Sequence, residues 1–244
     1  MVIVNADDLG RSRRETEAAI HLYEKGRITC MNVMVFMEDS ERAAEMMTEM
    51  RIDPGLHLNF SQRFTGSVRE ALLLKYHDRL IRFLNASKYS LVIYNPFLRR
   101  AFRYVFDAQI NEFQRLFGKP PSHFTGHQHM HLCSNMLFDG IIRKGEKVRR
   151  SFSFWPGEKG LINRAYRTAV DKRISAWYVT TDYFFDLTQE YEKDHLLRVS
   201  SLARSKILEL MTHPARETDY GFLMSKDYAS RILLHEIGSY SSLS

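Results

Sequence analysis

Two adjacent carboxylates, Asp7 and Asp8, end the apolar run Met1-Val2-Ile3-Val4-Asn5-Ala6, and Leu9-Gly10 follow at once. A β-branched run closing on paired acids puts oxygen ligands at the C-terminal end of a strand, where α/β enzymes keep their active sites. Successive strand residues point to opposite faces, so the two acids serve different purposes. A bend there lets one meet a metal while the other faces a substrate. Histidines recur in the same kind of place. His57 lies in Gly55-Leu56-His57-Leu58, at the end of a predicted strand. His127, His129 and His131 form Gly126-His127-Gln128-His129-Met130-His131, after a predicted strand that begins at Ser122. His213 lies in Met211-Thr212-His213-Pro214, at the end of a late one.

In a parallel sheet these strand ends converge on one rim. Imidazole with carboxylate suits Zn²⁺ and other first-row ions better than Mg²⁺. Two histidines and one carboxylate, with a position left for water, make a catalytic site and not a structural one. In an extended segment the spacing of His127, His129 and His131 spreads the rings over ~13 Å, so one ion takes only one of the three. The residues alone therefore predict a metal-assisted hydrolase. His21, His77, His195 and His235 read as core or surface residues.

The elements that must position these groups alternate. Strands are predicted at 1–6, 28–36, 54–59, 122–126, 148–154, 176–180 and 206–212. Helices are predicted over 15–26, from the Asp39-Ser40 cap to about Met50, across most of 67–117 with a break at Asn95-Pro96, from about Asn135, and over 226–237. Phe97, Phe102 and Phe106 are expected in the core. Repeated βα units with short connections predict an α/β fold, a distorted parallel (β/α) barrel of about seven strands. With no linker or internal repeat, residues 1–244 read as a single catalytic domain.

A chain of 244 residues with 44% hydrophobic and 26% charged residues describes a water-soluble globular protein. No apolar run approaches the ~18 residues of a membrane span. Met1 runs directly into the first strand without a basic or apolar leader, which predicts a cytoplasmic address. Cys30 and Cys133 form no disulfide pattern. The net charge of +6 clusters at Arg11 to Arg14, Arg99 to Arg103 and Arg143 to Arg150. No nucleic-acid motif accompanies it, so these clusters read as solvated basic surface, with attraction to an anionic substrate or peripheral membrane contact as the second reading.

Asn5-Ala6-Asp7-Asp8-Leu9-Gly10, Gly55-Leu56-His57-Leu58, the histidine triple and Thr212-His213-Pro214 resemble, in order and spacing, the YdjC-like carbohydrate deacetylases, which include chitooligosaccharide and hopanoid-type enzymes. The resemblance runs from residue 1 to about residue 215. It implies a fold related to the polysaccharide deacetylases and hydrolysis of an N-acetyl group on a sugar, oligosaccharide or glycolipid. It further implies that Asp8, His57 and His127 bind one divalent ion (zinc or magnesium), that Asp7 is the general base and that His213 is the acid or oxyanion partner. Family members commonly carry an acid where this chain has Thr125, so the polar support of His127 is expected to be weaker. The aromatic and arginine-rich stretch 154–185 matches no motif and is a candidate for substrate specificity. A phosphoesterase on the same rim is the alternative, though no phosphate-binding glycine pattern is present. A sugar-binding module without catalysis would be expected to lose one of Asp7, Asp8, His57, His127 or His213, and all five remain.

Overall fold

The computed structural model describes residues 1–87, 89–155, 157–158 and 160–243. Along the chain run β1 (Val2–Leu9), α1 (Arg13–Glu24), β2 (Cys30–Val33), α2 (Ser40–Glu49), β3 (Pro54–Leu58), α3 (Ala71–Asn85), α4 (Arg99–Phe117), β4 (Phe124–Gly126), α5 (Ser134–Phe138) and α6 (Leu161–Trp177). There follow β5 (Tyr183–Asp186), α7 (Leu187–Glu192), α8 (Leu196–Ala203), β6 (Leu208–Thr212), α9 (Glu217–Met224) and α10 (Lys226–Arg231). The fold is α/β with a parallel sheet, as the alternation predicts. Among the described residues the sheet has six strands, in the order β4-β3-β2-β1-β6-β5. Two compact units divide the chain: residues 1–7, 17–31 and 145–244, and residues 8–16 and 32–144.

In the first unit β6 lies parallel to β1, in register from Val2↔Leu208 to Ala6↔Thr212. β5 lies parallel to β6, from Tyr183↔Leu208 to Asp186↔Met211. Val2, Ile3, Val4, Leu208 and Leu210 are fully buried, the near-continuous apolar pattern of strands covered on both faces. Two predicted strands do not form here. Lys147 makes only an isolated bridge to Val179, and Ser153 N–H donates to Phe184 C=O at 2.8 Å. Polar partners turn this segment inward: Arg149 reaches Asp7, and Ser151 Oγ donates to Asp171 at 2.7 Å. The predicted strand at 176–180 begins inside α6, while the paired strand falls later, at Tyr183–Asp186. The predicted final helix stops at Arg231, because Ile237 instead bridges Val2, with Gly238 N–H donating to Val2 C=O at 3.0 Å.

In the second unit β3 and β4 pair in parallel, Leu56↔Phe124, His57↔Thr125 and Leu58↔Gly126. α3 buries Leu73, His77, Leu80 and Leu84 at helical spacing, and α4 buries Phe102, Val105, Phe106, Gln109 and Phe113. Gly118, with φ 64°, ends α4 in the left-handed conformation that favours glycine. At the predicted break, Asn95 accepts from Phe97 N–H at 3.1 Å and opens a short 3₁₀ turn. That turn leaves Phe97 85% exposed, contrary to the expected burial. Gln109 pins the loop after β3: Asn59 N–H donates to its Oε1 at 2.7 Å, and its Nε2 donates to Asn59 C=O at 3.2 Å. No helix among the described residues is long and apolar enough to cross a membrane.

His77 gives this unit an acid-sensitive element. Burial lowers its pKa from the ordinary 6.5 to about 4, against the opposing effect of its hydrogen bond to Asn59 C=O. The unfolded chain therefore takes up the proton first. The neutral ring's contribution is complete above pH ~6.5 and is lost as pH falls toward the folded value, a loss of roughly 3 kcal/mol. Urea unfolding of wild type and His77→Gln across this range should show the steeper fall in wild type. Identical slopes would remove His77 from the account.

Candidate metal centre and catalytic residues

β1 ends in a bend that separates its two acids. Asp8 has φ 67°, uncommon for a residue with a side chain though tolerated by Asp, and Gly10 follows at φ 80°. A Cβ at Gly10 would lie 3.0 Å from the Met34 carbonyl oxygen, so the turn needs glycine. Asp8 Oδ1 lies 2.9 Å from His127 Nδ1 and 3.3 Å from His57 Nε2, and Arg11 donates to Oδ2 at 3.2 Å. One donor atom from each of Asp8, His57 and His127 lies within 4.8 Å of the other two.

These residues fit a small divalent ion. A tetrahedral ion with bonds of ~2.0–2.2 Å separates its ligand atoms by roughly 3.3–3.6 Å; Asp8 and His57 stand at that spacing, and the 2.9 Å hydrogen-bond contact between Asp8 and His127 would open by about half an ångström to admit the ion. Burial acts to raise the Asp8 carboxyl, but hydrogen bonds and attraction from His127 and His57 outweigh it and hold the group well below the usual carboxylate range. Asp8 is therefore charged and ready to ligate. His57 Nδ1 lies 2.8 Å from Thr125 Oγ1, which fixes the ring so that Nε2 faces Asp8. Thr125 thus supports His57 and not His127, a correction set by the β3–β4 register.

The histidine triple is not extended. Residues His127–Leu132 form a 3₁₀ turn with Gln128 and His129 in the left-handed region, and the His129 and His131 ring centroids are 6.4 Å apart. Among the described residues only His127 of the three joins Asp8 and His57. His131 is buried against Gly126, where a Cβ would lie 2.7 Å from its Nδ1. His127→Ala should abolish metal binding and His129→Ala should retain it. Equal metal loss in both, by elemental analysis, would show that the ligand set is drawn too narrowly.

Asp7 has a different environment. It is 3% exposed, and Arg149 grips both its oxygens, Nη1 to Oδ2 at 2.6 Å and Nη2 to Oδ1 at 2.9 Å. Arg149 is fully buried and also donates from Nε to Glu209 Oε1 at 2.8 Å. Glu209, equally buried, accepts from Asn5 Nδ2 at 2.8 Å and from Tyr240 Oη at 2.5 Å. Burial, followed by the Glu209 charge, pushes the Tyr240 hydroxyl well above its ordinary range. Arg149 and Glu209 were not legible as site residues, since Arg149 stands in a run read as basic surface and its partners are far away in sequence.

His213 follows Thr212, the register partner of Ala6, so Asp7 and His213 each come one residue after a paired position at the C-terminal ends of β1 and β6. Its backbone N–H donates to Asp219 Oδ2 at 2.6 Å, and its ring Nδ1 is 4.0 Å from the same oxygen. Thr212 Oγ1 donates to that carboxylate at 3.0 Å, and the Thr188 hydroxyl donates to its other oxygen. Asp219, on α9, is a second residue that sequence reading passed over. It binds the backbone of His213 and braces the segment that carries the ring.

The sequence matches the family described as YdjC-like protein over residues 1–236. It is 30% identical over 173 residues to a carbohydrate deacetylase of Mus musculus, covering 69% of this chain and 54% of that one. It is 28% identical over 226 residues to a chitooligosaccharide deacetylase of Proteus mirabilis (strain HI4320), covering 88% of this chain and 81% of that one. The match spans 41% of the Homo sapiens carbohydrate deacetylase, so this chain represents about half of its mammalian relatives and most of the bacterial one. A solved structure from Enterococcus faecalis V583, provisionally assigned to cellobiose-phosphate cleavage, superposes with a TM-score of 0.71 at 15% identity, covering 99% of this chain and 97% of that one. That likeness bears on the fold alone. The match along 1–236 takes in Asp7, Asp8, His57, His127, Arg149, Glu209 and His213, and the chain belongs to the YdjC-like family.

Proposed function

We propose that this protein is a metal-dependent deacetylase that hydrolyses the N-acetyl group of a sugar, oligosaccharide or glycolipid to acetate and a free amine. The observation that carries this reading is the gathering of donor atoms from Asp8, His57 and His127 within 4.8 Å, on the residue that follows the buried carboxylate Asp7. The names of the mouse and Proteus relatives point to the same reaction. Asp8, His57 and His127 would hold one zinc or magnesium ion, which when bound supplies Lewis acidity toward the acetyl carbonyl and toward water.

Asp7 accepts the proton of the attacking water. Its two bonds from Arg149 fix the carboxylate plane, and Glu209 shares the same guanidinium. His213 donates a proton to the departing amine. His213→Ala should keep its metal and lose roughly 10²–10⁴-fold in turnover. Loss of metal in that variant would make His213 a ligand, and near-full turnover would make it structural.

Mass spectrometry of the purified protein with a panel of N-acetylated sugars, glycolipids and phosphate esters tests the reaction class. Acetate release with the matching free amine is expected. Phosphate release without acetate would replace the deacetylase reading by a phosphoesterase on the same residues.

A further inference from the structure

A groove of about 1000 Å³ opens beside α2, α3 and α4, and none of Asp8, His57 or His127 lines it. One wall is Phe36, just after β2. β2 lies between β1 and β3 in the parallel sheet, and those strands carry Asp8 and His57 toward their C-terminal ends. The groove therefore begins on the same edge of the sheet as the candidate metal centre.

Phe36 is held there against its own preference. Its φ is 61°, a region that bulky residues avoid and occupy only when their surroundings fix them. Gly66 N–H donates to Phe36 C=O at 2.9 Å, and Glu38 N–H donates to Thr65 Oγ1 at 3.0 Å. A Cβ at Gly66 would stand 2.7 Å from the Met37 carbonyl oxygen, so the close approach of the two loops requires glycine. The clamp sets the Phe36 ring 5.0 Å from that of Phe64, which stacks on His77 at 3.7 Å. Both phenylalanines stay half-buried. A constrained pair of aromatic rings with accessible surface offers apolar contact to the C–H face of a pyranose.

The other walls supply polar contacts of one prevailing sign. They carry four carboxylates, Glu41, Glu70, Asp107 and Glu112, against the guanidiniums of Arg69 and Arg115. Arg115 is engaged by Glu41 at 2.7 Å and Glu112 at 2.8 Å. Glu70 accepts from the Tyr104 hydroxyl. The groove is thus anionic in a chain of net charge +6, and its chemistry favours a cationic sugar over a phosphorylated one.

We infer that this groove binds the free-amine sugar units of a partly deacetylated oligosaccharide, with the amine against Glu70 and Asp107 and a sugar face on Phe36. The place of that ligand in catalysis rests on the deacetylase reading; the binding itself does not. The test is isothermal titration calorimetry of the full chain with glucosamine tetramer and with N-acetylglucosamine tetramer. Wild type should prefer the glucosamine tetramer by about tenfold, the scale of one charge-assisted hydrogen bond. Glu70→Gln/Asp107→Asn should erase the preference, and Phe36→Leu should weaken both ligands. Circular dichroism reports folding, and Asp107→Asn alone serves if the double variant does not fold. Absence of a preference in wild type, or one unchanged in the folded carboxamide variants, overturns the inference. Acetate release from the panel of N-acetylated sugars and glycolipids, measured on the same samples, separates the two claims. Release without an amine preference sinks the groove alone, whereas a carboxylate-dependent preference without release leaves the groove and sinks the deacetylase reading.

Discussion

Asp7→Asn is expected to keep its fold and its bound metal while losing roughly 10²–10⁴-fold in turnover, the range for removal of a general base. The fold should survive because Arg149 retains Glu209 as a counter-charge, at 2.7 Å from Nη2. The carboxamide still offers one oxygen to the guanidinium but can no longer take a proton from water. Turnover with metal content measured on the same sample checks this. Activity within a few-fold of wild type at full metal occupancy would deny Asp7 its role, and loss of metal would move it into the ligand set.

The second large effect belongs to Arg149. Arg149→Met would leave Asp7 and Glu209 buried, at 3% and 0% exposure, without the cation that now neutralises them. Removing one partner of a buried ion pair costs about 3–5 kcal/mol because the remaining charge has lost both water and counter-ion. Here two carboxylates are stranded, so the upper end of that range is expected. The deficit should shrink as pH is lowered toward ~4: stranded carboxylates have raised folded-state pKa values, so the native state binds more protons than the unfolded chain. The double variant Arg149→Met/Glu209→Gln should recover part of the loss, since it strands one charge fewer. Urea unfolding at several pH values gives the answer. A loss below about 1 kcal/mol, or one independent of pH, would mean that the network carries little of the stability of its unit.

The parts of this site legible in the sequence are those that local pattern controls. Asp7-Asp8, His57 and His213 each close an apolar run, and strand ends in a parallel sheet share an edge, so their types and places could be read together. The helical spacing of Leu73, His77, Leu80 and Leu84 was likewise local. What stayed hidden depends on distant partners. Arg149 meets Asp7 across 142 residues and Glu209 across 60, and no local rule turns an arginine inward. The same pull keeps the surrounding segment from forming the strand its aromatic residues suggested. Trp177 to Thr180 has the aromatic and β-branched composition of a strand, yet α6 extends to Trp177 and the paired strand begins at Tyr183. Positive φ at Asp8, Gln128 and His129 departs from ordinary backbone preference, and the folded histidine turn follows from it. Thr125 serves His57 through a strand register that spacing alone does not fix.

The most direct measurement of the central claim is acetate release from N-acetylglucosamine dimer by protein stripped with a chelator and then refilled with zinc or magnesium, run beside Asp8→Asn. The account predicts no release from the stripped protein, recovery with at least one of the two ions, and no recovery in Asp8→Asn, which should also fail to retain the metal. Full acetate release from stripped protein, or recovery in Asp8→Asn equal to wild type, would contradict it.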